Sequence, residues 1–432
     1  GPDRIRAQAF PVPRNGGTIK FKIGISAPLE LDEAGKARLV LPAIVDRNFS
    51  FAPDVQHSLW VESKTALNIA TASAGAGMTT SAVGPELFRI TGTLSDATLA
   101  RSRPAIVALR DPATGPRAAR LGSGPEIVQE IAQRTVAPPA ALVIVVDGSA
   151  RVAGKAAGIR AALDKIPTGA PAGLVIAGEP ARRLAIAPWT DSQKRAASEM
   201  LDAADFSGGQ DNTPALAGAL GDLEKYDGAA LLWVHGPQPV AFKGSAGMLE
   251  QAASRLMRRP QLWLMPTEPG PNETLPDMPW AWSARTVPGS GAFGADIAGL
   301  LDTLYRSAPR TVILRDKTPS APAAGVSAAA PVAGSDHIAR LWANETVLTL
   351  MAQGESNRAG AVTLATDHRL VTPVSGAVVL ETQQQYDESH LTPVTTASVP
   401  TVPEPEEWAL ILLAGLAFLW LMKKQGANRV AA

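Results

Sequence analysis

The sequence predicts a mixed α/β protein with a doubly wound, mostly parallel sheet, preceded by a β-rich, sandwich-like region and followed by a single C-terminal hydrophobic helix. Residues 141–146 form an unbroken apolar run before an Asp-Gly-Ser turn, which is typical of a strand buried on both faces of a parallel sheet. Further apolar runs then alternate with stretches of helical spacing, as βαβ units require. The first 124 residues instead contain short strand-like runs.

The β-rich region covers residues 1–124. Its strand-like runs are 5–10, 18–25, 37–41, 58–69, 87–93 and 105–109, and their spacing suits a β-sandwich. Residues 125–134 have helical spacing and are predicted to form an amphipathic connector. The Pro138-Pro139 pair marks the boundary with the next domain.

The α/β domain is predicted over residues 138–316. After the first strand, further strands are expected at 173–177, 229–234 and 261–265, with helices at 192–204 and 214–225 between them. Ligand sites in such sheets form beyond the carboxyl ends of the strands, where the strand order reverses. Asp147 and Ser149 lie at that edge.

The segment Asp147-Gly148-Ser149-Ala150-Arg151 resembles the Asp-x-Ser-x-Ser motif of the von Willebrand factor type A (VWA) domain, which carries a metal-ion-dependent adhesion site. The loop at 207–216 is similar to the second metal loop of that family. Aligning its two glycines places Gln210 where the family has a ligand threonine, although a one-turn slip would let Thr213 serve. His235 stands where the family has an aspartate after the fourth strand.

Three of the five ligand positions implied by the resemblance are therefore altered, at Arg151, Gln210 and His235. Magnesium and calcium need oxygen donors, including a carboxylate, and a guanidinium cannot give up its proton. We expect no metal and no cofactor. The vestigial candidates are Asp147, Ser149, Asp211 and Thr213, and Asp147 is expected to be neutralised by Arg151 or capped by backbone N–H groups.

Two alternatives remain open at this edge of the sheet. In the first, a surviving site binds a divalent metal such as magnesium and supports metal-dependent adhesion. In the second, Asp147, Ser149 and His235 form a hydrolase or zinc site, since a Ser/His/Asp constellation needs these three residue types within hydrogen-bond reach. No nucleophile elbow frames Ser149, so no enzymatic activity is expected.

Both flanks of the α/β domain resemble parts of a second family. Residues 1–50, with their Gly16-Gly17 turn, are similar to the last strands of a vault/inter-α-trypsin inhibitor (VIT) domain, whose front we expect to be missing here. Residues 317–334 are predicted to be a linker, and 335–388 a docking segment made of a helix at 337–351 and strands at 368–373 and 376–381. Its Leu-Trp-Ala and Leu-Val-Thr-Pro segments resemble those that follow VWA in such proteins.

The tail contains Pro403-Glu404-Pro405, an apolar run from Trp408 to Met422, and a basic end. It follows a disordered spacer at 389–402. The run of 15 residues would be about 22 Å long as a helix, shorter than the hydrocarbon core. The segment 403–432 resembles a PEP-CTERM sorting signal, which implies a membrane helix and cleavage by an exosortase-type enzyme. Its basic residues are Lys423, Lys424 and Arg429.

Charge and composition narrow the function further. The chain has 40 basic and 40 acidic residues and no cysteine, so nothing favours nucleic-acid binding, and disulfides and thiolate sites are excluded. The sequence predicts a non-catalytic binding or adhesion protein of the cell envelope, with its body extracytoplasmic and its C-terminus cytoplasmic before processing. Its expected partners are the processing enzyme, the membrane, and a protein or polysaccharide ligand.

Overall fold

The computed structural model of the chain describes residues 24–31, 36–41, 55–69, 77–96, 98, 105–109, 115–240, 245–256, 258–268, 270–274, 281, 284–287, 292–317 and 331–377. The predicted strand at 5–10 and the whole sorting segment 403–432 lie outside these residues. Gly1–Gly376 form one compact unit, and of the second, Ala377–Ala432, a single residue is described. No helix within the described ranges is both long enough and apolar enough to cross a membrane.

The strands are β1 (Glu30–Leu31), β2 (Lys36–Val40), β3 (Gln56–Ser63), β4 (Leu67–Ile69), β5 (Met78–Gly84), β6 (Leu87–Ser95), β7 (Ala105–Leu109), β8 (Arg117–Arg120), β9 (Glu126–Thr135), β10 (Leu142–Val146), β11 (Pro171–Ile176), β12 (Arg182–Pro188), β13 (Ala230–His235), β14 (Gln261–Pro266), β15 (Arg285–Thr286), β16 (Pro309–Lys317) and β17 (Val332–Ala333). The helices are α1 (Ala156–Ala162), α2 (Asp191–Asp202), α3 (Thr213–Leu223), α4 (Ser245–Ser254), α5 (Phe293–Tyr305), α6 (His337–Gln353) and α7 (Arg358–Asp367).

The centre of the α/β domain is a six-stranded sheet in the order β12-β11-β10-β13-β14-β15. All of its pairs are parallel except β11 with the edge strand β12. Residues of β10 alternate between two cores, with Ile144 facing α1, α2 and α5 and Val145 facing α3 and α4. The predicted strands β10, β11, β13 and β14 are therefore confirmed, because a strand covered by helices on both faces needs apolar side chains throughout.

The β-rich region contains two antiparallel sheets, one in the order β1-β2-β7-β4 and one in the order β3-β6-β5. Both contribute to one small core. The buried members of this core are Leu41, Leu67, Ile90, Leu94 and Ile106. Burial alternates along β3, with Leu59 and Val61 against this core and Ser58 and Trp60 on the face that meets water.

The prediction of a helical connector at 125–134 is wrong, because these residues form strand β9. β9 pairs antiparallel with β16 over nine residue pairs, from Ile127 opposite Lys317 to Thr135 opposite Pro309. β16 lies inside the range predicted for the α/β domain but belongs to a separate sheet, ordered β16-β9-β8-β17. Both ends of the predicted linker, at β16 and β17, are therefore strands.

The helix predicted at 337–351 is confirmed as α6, which packs Ile338 and Trp342 against Ile127 of β9. A strand at 368–373 is wrong. Helix α7 ends at Asp367, and the chain then turns through a single bridge between Thr372 and Ser375. α7 was not predicted, because its buried residues are small alanines that give only a weak apolar pattern. The partner strand at 376–381 lies almost entirely outside the described residues.

Candidate functional site

The candidate site lies at the carboxyl edge of the six-stranded sheet, around Asp147. The Asp147 N–H donates to the carbonyl of Val234 at 2.9 Å, which fixes the start of the loop against β13. The side chain of Asp147 is fully buried. Loops after β10 and β13 and the loop before α3 meet here, as the carboxyl ends of neighbouring parallel strands must.

Five neutral donors hold the Asp147 carboxylate. Its Oδ1 accepts from the Ser149 N–H at 3.0 Å, the Ser149 hydroxyl at 2.5 Å and the Asn212 amide at 3.1 Å. Its Oδ2 accepts from the Gly236 N–H at 3.1 Å and the Gln238 amide at 2.9 Å. A carboxylate offers about four lone-pair directions, so these donors saturate it.

The two amide side chains are themselves linked to the sheet. The indole Nε1 of Trp233, in the middle of β13, donates to Asn212 Oδ1 at 3.2 Å. The two hydrogens of Asn212 Nδ2 are shared among Asp147 Oδ1, Gln238 Oε1 at 3.2 Å and the Gln210 carbonyl at 3.0 Å, so one of them makes a three-centre hydrogen bond. Asn212 and Gln238 are both buried, at 1% and 5% exposure. Sequence reasoning missed both, because neither amide stands in a recognisable metal-ligand or catalytic pattern.

Ser149 joins the first loop to the second. Besides donating to Asp147, its hydroxyl accepts from the Gln210 N–H at 3.0 Å. The Gln210 side chain turns back and donates to the Ser207 carbonyl in its own loop. Gly148 is required between these contacts, because a Cβ there would lie 2.0 Å from the carbonyl oxygen of Ala177.

Asp211 and Thr213 have a local role at the start of α3. The Asp211 carboxylate accepts from the Thr213 N–H at 2.9 Å, an Asx turn that satisfies one of the orphan donors of the helix. The residue between them, Asn212, is the one that contacts Asp147. The structure therefore brings Asp147, Ser149 and the Gln210 backbone together, and places the side chains of Asp211 and Thr213 at the helix start.

The side chains of Arg151 and His235, the other two altered positions, have partners other than Asp147. Arg151 is largely exposed and forms an ion pair with Glu268 at 2.6 Å. It is not the group that neutralises Asp147, which is instead capped by backbone N–H groups together with side-chain donors. The His235 ring lies 4.3 Å from the Trp233 ring, and its Nδ1 is 2.8 Å from the Gly236 carbonyl.

This donor set does not fit a divalent cation. A cation bound to Asp147 needs lone pairs around it, whereas N–H and O–H hydrogens point at both carboxylate oxygens. Within the described ranges, no group of three or more His, Asp or Glu side chains is arranged to hold a metal ion. A Ser/His/Asp relay also needs the serine on the imidazole, and here the Ser149 hydroxyl donates to Asp147 itself.

Comparison with known proteins gives similarity of structure alone. No family model and no curated protein matches the chain. The matching solved structures include a von Willebrand factor type A protein from Catenulispora acidiphila (16% identity, 46% of this chain and 52% of that one, TM-score 0.33). The pilus adhesin SpaC from Lactobacillus rhamnosus GG also matches (12%, 45% and 34%, 0.30).

A third match is the mussel byssus proximal thread matrix protein 1 with a zinc-occupied MIDAS motif (8%, 40% and 48%, TM-score 0.28). This chain therefore spans about half or less of the length of these proteins. The fold follows from the strand order described above, that of a doubly wound sheet with its first strand at the centre. Asp147 at the end of that central strand agrees with the VWA resemblance of the sequence.

Proposed function

We propose that this chain is a non-catalytic binding or adhesion protein of the cell envelope, whose VWA-type site works without a metal. The observation that carries the proposal is the saturated carboxylate of Asp147, held by five neutral donors. This arrangement keeps the sheet edge in one conformation with no cation present. A surface of that kind supports binding of a protein or polysaccharide partner through its shape.

The tail supplies the location in this proposal. Pro403-Glu404-Pro405, the apolar run from Trp408 to Met422 and the basic residues beyond it resemble a PEP-CTERM sorting signal. An exosortase-type enzyme would cleave near the Pro-Glu-Pro motif and leave the body outside the cytoplasm. The intact mass of the protein from native cells tests this, because a processed protein lacks residues 408–432 and an unprocessed one retains them.

Adhesion is tested by deleting the gene for this chain and measuring attachment of the cells to a surface. Deletion is expected to reduce attachment, and complementation to restore it with or without chelator. The Ser149→Ala and His235→Ala variants, checked for wild-type protein levels, should complement fully if no hydrolysis is involved. If they are present at normal levels and do not complement, the enzymatic alternative is favoured. If complementation needs magnesium or calcium, the metal-dependent alternative is favoured.

A further inference from the structure

The orientation of the Asn212 and Gln238 carboxamides is set at one end by the Trp233 indole and at the other by the Asp147 carboxylate. An indole N–H can only donate, so the atom of Asn212 that faces Trp233 must be its oxygen, and its nitrogen faces Asp147 and Gln238. A carboxylate without a proton can only accept, so the atom of Gln238 that faces Asp147 at 2.9 Å must be its nitrogen. Reversing either amide would oppose two donors or two acceptors.

We infer that Trp233, Asn212 and Gln238 form a one-way hydrogen-bond relay that takes the place of a cation at Asp147. The relay begins at the buried indole of β13, passes through the carboxamide of Asn212 to that of Gln238, and delivers N–H groups to both oxygens of the carboxylate. The chain has thus replaced a metal ion by two amides, and this inference does not depend on the adhesive role.

The relay also explains why three loops keep one arrangement. Asn212 precedes α3, Gln238 follows β13, and Asp147 follows β10, so the relay ties together segments that are 26 to 91 residues apart in sequence. The backbone of Gln238 is fixed independently, since its N–H donates to the Pro271 carbonyl at 2.7 Å and its carbonyl accepts from the Glu273 N–H at 2.7 Å. The side chain of Gln238 is therefore presented to Asp147 by a held backbone.

Exchange of one relay amide for a carboxylate tests the inference. Gln238→Glu places a second acidic group where the amide now donates to Asp147, and like charges at that distance repel. The full chain in mild detergent is melted after chelation and again with magnesium, calcium, manganese or zinc chloride. The wild type is expected to show the same melting midpoint throughout. The variant is expected to melt lower and to gain about 5 °C at a hundredfold excess of one cation over its Kd.

The matched control is Gln251→Glu, on the exposed side of α4, which adds the same charge away from the relay and should respond like the wild type. Asn212→Asp is a second test, since it keeps the acceptor for Trp233 and exchanges the other donor. It guards against a Gln238→Glu variant that does not fold. A cation-dependent rise in the wild type that Asp147→Ala abolishes would overturn the inference, and so would the absence of any cation response in both carboxylate variants.

Trp233→Phe tests whether the indole N–H of Trp233 sets the orientation of the Asn212 amide. Without the indole donor, the side-chain amide of Asn212 is free to turn its oxygen away from residue 233. Gln238→Ala should therefore lower the melting midpoint of the wild type and have no further effect in the Trp233→Phe background. If Gln238→Ala lowers the midpoint equally in both backgrounds, Trp233 does not set the orientation. A failed adhesion assay leaves these results unaffected, because they concern the melting midpoint alone.

Discussion

Asp147 and Arg315 are both buried charges, and the chain holds them in opposite ways. Asp147 is surrounded by neutral hydrogen-bond donors at the edge of the α/β sheet. Arg315 in β16 has a side chain only 3% exposed, and it meets a carboxylate of Glu345 on α6 at 2.5 Å and the amide oxygen of Gln129 at 2.8 Å. One charge is stabilised by dipoles and the other by a counter-charge.

The difference follows from where each charge sits. Glu345 is half exposed, so water shares the stabilisation of that ion pair, and the pair orients α6 against β9 and β16. Asp147 is fully buried and lies among loops that supply backbone N–H groups at the ends of strands. Stability should therefore suffer more when the fully buried Asp147 is disturbed, because no water can replace its donors. It should suffer less when the ion pair of Arg315 is broken, because water reaches Glu345.

The largest expected effect comes from Asp147→Ala. Removal of the carboxylate takes the acceptor away from the buried amide nitrogen of Gln238 and from the N–H groups of Ser149 and Gly236, and each unsatisfied buried donor is costly. We expect a loss of about 3–5 kcal/mol in the free energy of unfolding, measured by urea denaturation. The control Asp222→Ala removes the half-exposed partner of Arg183 and should cost less than about 1 kcal/mol. Equal losses in the two variants would contradict the comparison.

Glu345→Ala is expected to have a smaller effect. It leaves the buried guanidinium of Arg315 with its hydrogen bond to the amide oxygen of Gln129, and the half exposure of Glu345 reduces the loss to about 1–2 kcal/mol. Glu62→Ala, which removes the partner of the more exposed Arg89, is the matched control. A loss no larger than that of the control would mean that burial of Arg315 adds nothing.

Tyr305 extends the comparison to a polar group that is buried without compensation. Its hydroxyl is inaccessible to water and has no hydrogen-bond partner within the described residues, and burial raises the pKa of Tyr305 far above its usual value of 10.0. Tyr305→Phe removes an unpaired polar atom, so the free energy of unfolding should rise by about 0.5–1 kcal/mol. A decrease in thermal or urea stability would show that the hydroxyl has a partner such as bound water.

The smallest effect is a pH dependence at Glu345. Burial raises the pKa of Glu345 above its ordinary 4.5, and Arg315 opposes that shift less strongly. The folded state therefore holds more protons than the unfolded state just above the unfolded pKa, so stability falls as pH rises through this window. Between about pH 4 and about pH 6 the wild type should lose a few tenths of a kcal/mol relative to Glu345→Gln. An opposite slope would mean that the pairing with Arg315 outweighs burial.

Much of the α/β domain is predictable from local sequence. β10 is apolar at every position because helices cover both faces of the sheet, and β11, β13 and β14 share this pattern over most of their length. β9 was predicted as a helix because Ile127, Val128 and Ile131 also fit a helical spacing. Its true partner, β16, follows more than 170 residues later, so no local pattern identifies it.

The sequence predicts where the site lies, but it does not predict which side chains surround Asp147. The Asp-Gly-Ser turn located Asp147 and Ser149 at the correct sheet edge. Asn212 and Gln238 carry no metal-ligand or catalytic pattern, and their role depends on the fold of three loops. One indication was present in the sequence. Trp233 carries an N–H group in the apolar middle of β13, and a buried indole N–H needs an acceptor nearby.

The pairing of β9 with β16 also has a mechanical consequence. The chain enters the α/β domain from one strand of this antiparallel ladder and leaves it into the other, so Ile127 and Lys317 lie side by side at the open end. Tension applied through the segments before Ile127 and after Lys317 would peel the ladder apart one pair at a time. The α/β domain would carry no load until all nine pairs had opened, so the sheet edge at Asp147 is shielded from force along this path by the strands that flank the domain.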